Sequence, residues 1–303
     1  MSMKIGVIGI GDIAKKAYLP VYAHTKEAEF HFFTRNQESL RYVKDHYRFE
    51  HLYPSLEALM ESGIQAAFVH TATESHYEIV QKLLSNGIHV YVDKPVTYHY
   101  GQTKALADLA KEKNMHLFTG FNRRFSPVYQ RCRELKKPNL ILMQKNRFKH
   151  PENVRTFVYD DFIHVIDTLL YLADEPYEKV VVNGRKEGDL LYHANVQLIF
   201  PSGVVAIGIM NRDSGTSEEI LEVMGTDEKR TARQVSSLTI QQNKTITQIA
   251  ANDWEPTLCK RGFEQIVSHF IDVASGKAQP KITLDDALRT HDLCEYIVKN
   301  LEG

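Results

Sequence analysis

Cysteine is scarce: the chain of 303 residues holds three, Cys132, Cys259 and Cys294, with no CxxC pair and no metal-ligand spacing. That excludes a disulfide framework and a cysteine-built metal site as the source of stability, and it fits a reducing compartment, so a cytoplasmic protein is expected. Net charge is nearly absent as well. A formal value of -1 at pH 7 removes any broad electrostatic case for nucleic acid or an anionic membrane surface. No apolar run approaches the eighteen or so residues of a membrane span. The opening "MSMKIGVIGI" passes straight into a strand with no cleavage signal, and internal repeats, low-complexity tracts and long linkers are missing. What is present is ordinary for a globular protein: 43% hydrophobic and 25% charged residues, with length enough for two domains. A small or locally recognised ligand is the partner this composition suits.

The first part of the chain alternates short β-type runs, "KIGVIGI", "EFHFFT", "QAAFVHT", "IHVYV" and "HLFTGF", with helix-period stretches such as 75–86 and 100–113. That rhythm predicts an α/β domain over residues 1–121, a doubly wound parallel sheet with helices on both faces. Gly87 and Asn114 read as helix stops. Past residue 122 the rhythm changes. A helix over 127–136, the strand "LILMQKNRF" and the helical "YDDFIHVIDTLLYLA" lead into consecutive strands between 180 and 242. Strands without intervening helices imply an open, mostly antiparallel sheet in a second α/β domain, 122–303. Two helices, 257–275 and 284–300, close the chain, and the last can pack back on the first domain.

Several motifs carry possible chemistry. Gly9-Ile10-Gly11-Asp12-Ile13-Ala14 is a G-x-G-x-x-A between a strand and a helix. Gly9 permits the tight turn, Gly11 lets a pyrophosphate approach the backbone, and Ala14 allows close helix packing, which together favour dinucleotide binding. At the end of the next strand Thr34 stands where an NAD site usually has an acid, with Arg35 and Asn36 after it, so NADP is favoured over NAD. "VHTATESHYEIV" offers Thr71, Ala72 and Thr73 at the same sheet edge, and His76 falls at a helix start. Asp93-Lys94-Pro95 ends a further strand at that edge, and the proline restricts the backbone of Lys94. In "YDDFIHVID" the spacing of Asp160, His164 and Asp167 places all three on one helical face, where an aspartate can orient a histidine base. In "GFNRRF" the pair Arg123 and Arg124 suits either an anionic or sugar ligand or an ion pair.

In this order the motifs "GVIGIGDIA", "TATESHYEIV", "NGIHVYVDKPVT", "GFNRRFSP" and D-x-x-x-H-x-x-D are similar to the glucose-fructose oxidoreductase, inositol dehydrogenase and MocA-like family of NAD(P)-dependent oxidoreductases, nearly over the full length. The later motif looks most like the MviM-like branch. The resemblance implies an N-terminal Rossmann domain and a C-terminal domain whose sheet makes homo-oligomer contacts. It implies that Lys94 positions the reacting hydroxyl, His164 moves its proton and Asp160 helps, with Asn122, Arg123, Tyr159 and His164 toward substrate. Asp93 replaces the usual glutamate before the lysine, and "TFVYDDF" replaces the usual glycines. The expected activity is hydride transfer between NADP(H) and a small polyol, sugar or related hydroxy compound. A dinucleotide-binding regulator without turnover, and a redox-neutral lyase or glycosidase with tightly held NAD, are the alternatives.

Overall fold

A computed structural model describes residues 2–302. Their contacts divide into two units, 2–120 with 263–289 and 121–262 with 290–302. Among the described residues no helix is long and apolar enough to cross a membrane.

The first unit is built on β1 (Met3–Ile8), β2 (Ala28–Phe33), β3 (Leu52–Tyr53), β4 (Ala66–Val69), β5 (His89–Val92) and β6 (Leu117–Thr119). All pairs are parallel, in the order β3-β2-β1-β4-β5-β6, so the order reverses between β1 and β4 and opens a crevice at their carboxyl ends. The five expected strands are there, and the two-residue β3 is an addition too short for any periodicity to announce. Alternation sorts the two buried faces of the sheet. One is aliphatic, with Val69, Val90 and Val92 against Val80, Leu83 and Leu106 of the helices His76–Ser85 and Tyr100–Lys113. The other is aromatic, with Phe68, Tyr91 and Phe118 all within 5.8 Å, ring to ring, of Phe270 from the helix Phe263–Ala274. Asn114 ends its helix in the left-handed region at φ 54°, and Gly87 follows the other helix at φ 72°.

The second unit is a nine-stranded mixed sheet of β7 (Leu140–Phe148), β8 (Glu152–Asn153), β9 (Lys179–Glu187), β10 (Leu190–Ile199), β11 (Val205–Ser214), β12 (Glu218–Met224), β13 (Glu228–Arg233), β14 (Ser237–Gln242) and β15 (Thr245–Ala250). Every pairing is antiparallel except β7 with β11. The run "RQVSSLTIQ", at the end of the expected strands, divides: Arg233 ends β13, Gln234 and Val235 turn at φ 52° and 55°, and β14 takes up the rest from Ser237. The helix Ile163–Ala173 lies on one face. A Cβ on Gly208 would stand 2.8 Å from Val165 and 2.9 Å from Leu169, so this glycine sets how close the helix sits to β11. The helix expected over 257–275 breaks at Gly262, whose φ of +80° only glycine adopts readily and whose Cβ would fall 2.3 Å from the carbonyl of Asn122.

Candidate functional site

At the carboxyl ends of β1, β2 and β4 lies a cleft of about 420 Å³ lined by Gly9, Gly11, Thr34, Arg35, Asn36, Thr71 and Ala72, all singled out from the sequence. Gly9 takes φ +89°, and a Cβ there would press to 2.7 Å from the Thr71 backbone, so the turn needs glycine. Gly11 is different. Its Cβ would meet only the His70 carbonyl, at 3.9 Å, and would project into open space where a ligand's phosphates could otherwise reach the backbone. The Thr71 hydroxyl is buried with no partner among the described residues, and Asn36 caps the helix Gln37–Tyr47 by accepting from the amides of Glu38 and Ser39. An open glycine cradle, an unsatisfied hydroxyl, a helix N-terminus and an exposed Arg35 fit the phosphates of a dinucleotide.

Asp12, Ile13, Ala14, Thr73, His76 and Lys94 are not on that lining. Asp12 pairs with Lys16 at the surface, Ile13 is exposed, and Ala14 is buried where the helix turns into a π-wound segment, Ala14–Tyr18. Pro20 explains the winding: it has no N–H to donate to the carbonyl one turn back and its ring crowds that carbonyl, which a widened turn relieves. His76 is buried behind the wall. Its Nε2 faces the Thr71 carbonyl at 3.0 Å and its Nδ1 the Pro95 carbonyl at 3.0 Å, tying the two loops together, and burial pushes its pKa down. Residues the sequence did not single out, among them Ser39, Ser75 and Glu78, complete the lining. They come from the first turns of helices, where exposed polar residues look like any other.

Lys94 follows β5 on the same sheet edge, through a cis peptide to Pro95. Asp93 before it is locked from below. Its Oδ1 accepts from the Tyr18 hydroxyl and its Oδ2 faces His70 Nδ1 at 2.8 Å. A carboxylate can only accept, so His70 donates from Nδ1; its Nε2 is hydrogen-bonded to the Tyr22 hydroxyl at 2.7 Å, and Tyr18, whose proton goes to Asp93, accepts from Tyr91. Burial works against the charge on Asp93, but the paired His70 and the bonds from His70 and Tyr18 outweigh it and hold the carboxyl below its usual range. Asp93 therefore anchors the backbone that presents Lys94. Gly120 fits beside it, since a Cβ there would stand 2.9 Å from the Tyr91 hydroxyl.

In the second unit Asp160 and His164 sit in a helix that is π-wound over Phe157–Phe162 and α-helical from Ile163. Both are partly exposed while Tyr159, Asp161, Phe162 and Ile163 between and around them are buried, so the two share an accessible face. Asp167 does not join them. It is turned inward, where Arg124 Nη2 donates to it at 2.7 Å and Thr290 at 3.2 Å, although His164 and Asp167 stand one turn apart in the same α-helix. The polar ends of the other expected substrate residues are engaged inside this unit. Asn122 donates to the Arg261 carbonyl at 2.8 Å, Arg123 grips Glu219, and the Tyr159 hydroxyl donates to Glu295 at 2.9 Å. Elsewhere, in the first unit, Glu29, His31 and His51 bring ligand-type atoms within 4.8 Å of one another, a grouping that sequence spacing gave no sign of.

Residues 3–121 match the family described as "Oxidoreductase family, NAD-binding Rossmann fold", and residues 127–243 match "YceM-like, C-terminal domain". The chain is 29% identical to "Putative oxidoreductase YceM" of Salmonella typhimurium, over 98% of this chain and 97% of that one. It is 25% identical to myo-inositol 2-dehydrogenase of Thermotoga maritima, over 78% and 77%. Among solved structures, the dehydrogenase MviM from Clostridium difficile superposes with a TM-score of 0.93 at 31% identity, over 99% of this chain and all of that one, 100%. A Gfo/Idh/MocA family oxidoreductase from Vibrio cholerae gives 0.92 at 27% identity, with 100% of each chain covered.

Proposed function

The chain belongs to the Gfo/Idh/MocA oxidoreductase family, with a YceM-like C-terminal domain, and from that premise we propose that it moves a hydride between a nicotinamide and a carbinol or carbonyl carbon of a small polyol, sugar or related hydroxy compound. The observation that carries this reading is the sheet edge of the first unit, where a glycine cradle and a lysine mounted on a buried Asp93–His70–Tyr18 network lie together. Named relatives support the substrate class: one is a myo-inositol 2-dehydrogenase and another a UDP-N-acetylglucosamine 3-dehydrogenase.

A bound dinucleotide supplies the hydride acceptor or donor. Gly9, Gly11 and Thr71 would hold its phosphates, and Thr34 with Arg35 favours a 2′-phosphate over a bare ribose because no carboxylate stands at the end of β2 to repel it. The proton is the chain's own business. His164 takes it from the substrate hydroxyl in oxidation and returns it in reduction, Asp160 one turn earlier favours the imidazolium, and the Lys94 ammonium steadies the oxygen as its charge develops. The half-exposed sheet face described by Leu142, Ile207, Ile209 and Ile220 supports a homo-oligomer.

Two measurements test this. Fluorescence titration should show NADPH binding more tightly than NADH. His164→Ala should keep that binding and lose about 10²- to 10⁴-fold in turnover on an active sugar or polyol. Intact NADPH binding with no turnover across sugars, polyols and their oxidised forms would replace the enzyme by a cofactor-sensing regulator.

A further inference from the structure

On the helix-facing side of the second sheet, the register sets charged side chains in a row. Glu219 of β12 pairs across from Lys145 of β7, Arg147 follows two residues along the same face, and Arg212 comes from β11 where its register shifts. The π turn Phe157–Phe162 carries Asp161 over them. Lys145 and Arg147 both donate to this carboxylate, Arg147 from Nε at 2.9 Å. Glu219 is already taken, gripped by Arg123 through two bonds of 2.6 and 2.7 Å and by the Tyr129 hydroxyl. Asp161 is left facing three cations, since Arg212 Nε lies 3.9 Å from its Oδ2.

Arg212 is the member the chain leaves unsatisfied. Its side chain is only 6% exposed, and Nε and Nη1 are buried with no hydrogen-bond acceptor among the described residues. The guanidinium lies over the Phe157 ring, 5.5 Å from its centre, which fixes where its fork can point. The other carboxylates whose charge reaches it are Glu152 and Asp160, and neither accepts from those two nitrogens. Buried donors without acceptors are costly, and folded proteins rarely keep them without a reason. Burial, and after it the charge of Arg123, brings the Lys145 pKa down to about 7.

We propose that Arg212, with Arg147 and Lys145, receives an anionic substituent of the substrate, a carboxylate or a phosphate. The proposal rests on the reading of Asp160 and His164 as the proton-handling pair, because Asp160 and Asp161 belong to the same π turn. A guanidinium with N–H groups on two nitrogens that lack acceptors suits either anion, whereas a neutral hydroxyl could accept from them but would cancel no charge. The substrate class narrows accordingly, from polyols and sugars at large to sugar acids and sugar phosphates.

The test uses the full-length protein and three probes at matched ionic strength: D-gluconate, D-glucose 6-phosphate and neutral sorbitol. Calorimetric titration, with and without NADPH, should show at least one anion binding the wild type, with sorbitol about tenfold weaker or worse. Arg212→Gln should weaken that anion about tenfold or more and leave sorbitol unchanged. Arg147→Gln, at a half-exposed position that folding tolerates better, should weaken it in the same sense. Preference for gluconate identifies a carboxylate, and preference for the phosphate ester a phosphoryl group. Anion binding no better than sorbitol, or equal in wild type and both variants, overturns the proposal. Titration with NADPH and NADH reports separately: failure to bind either sinks the oxidoreductase reading, while anion binding is read without turnover.

Discussion

At the scale of single residues, Asp93 is the clearest case of what a sequence can and cannot reveal. It stands out in "VYVDKPVT" as a departure from the family's glutamate, and its function is invisible there because its partners, His70 and Tyr18, lie 23 and 75 positions away. The shorter side chain suits a carboxylate that turns down into that network. Asp93→Asn should leave NADPH affinity unchanged, lower stability by about 1–3 kcal/mol and reduce turnover, since the amide cannot accept from both donors as the carboxylate does. An unchanged melting temperature would remove the anchoring role. Glu219 makes a second prediction. Burial opposes its charge, but Arg123 prevails and holds its pKa at about 2. A carboxyl lowered on folding adds stability that is complete above its unfolded pKa, near 4.5, and is lost as pH falls toward 2. Glu219→Gln should therefore flatten the acid side of the stability profile in that window. At neutral pH it should cost about 3–5 kcal/mol, because Arg123 is left buried and unpaired.

At the scale of elements, hydrophobic period did well where a strand or helix is regular. It found the five longer strands of the first sheet and the β10–β11 and β12 strands of the second, because those residues alternate between a covered face and an open one. It missed what depends on partners. The parallel pairing of β7 with β11 joins strands separated by some sixty residues of chain, and nothing in either strand encodes direction. Both π turns escaped it too, since one extra residue in a turn leaves the apolar pattern almost intact. Yet the second of them shapes the site, carrying Asp161 to the sheet while Asp160 stays with His164 on the accessible side. The seat of that helix is Gly208. Gly208→Val would drive side-chain carbons into Val165 and Leu169, and a loss of about 1–3 kcal/mol in denaturant unfolding is expected, with activity falling as the helix shifts. Wild-type stability in that variant would show that the helix has slack.

At the scale of the whole molecule, composition bounded the answer sooner than any motif. Near-neutral charge and average hydrophobicity pointed to a small ligand, and the Rossmann sheet with its glycine cradle narrowed that to a nucleotide. The second sheet raises the question of assembly. Leu142 pairs with Ile207, and Gln144 with both Ile209 and Ile220, so apolar side chains lie next to one another on the face turned away from the helix Ile163–Ala173. Ile207→Lys should convert an oligomer to monomers in light scattering without unfolding the protein, and a wild type that is already monomeric would place no copy on that face. A different consequence follows from how the first unit is assembled from two stretches of chain, 2–120 and 263–289. Its aromatic face closes only when Phe270 arrives against Phe68, Tyr91 and Phe118. On the ribosome, the second sheet is made between the two stretches of the cofactor-binding unit, whose aromatic side stays open to water meanwhile.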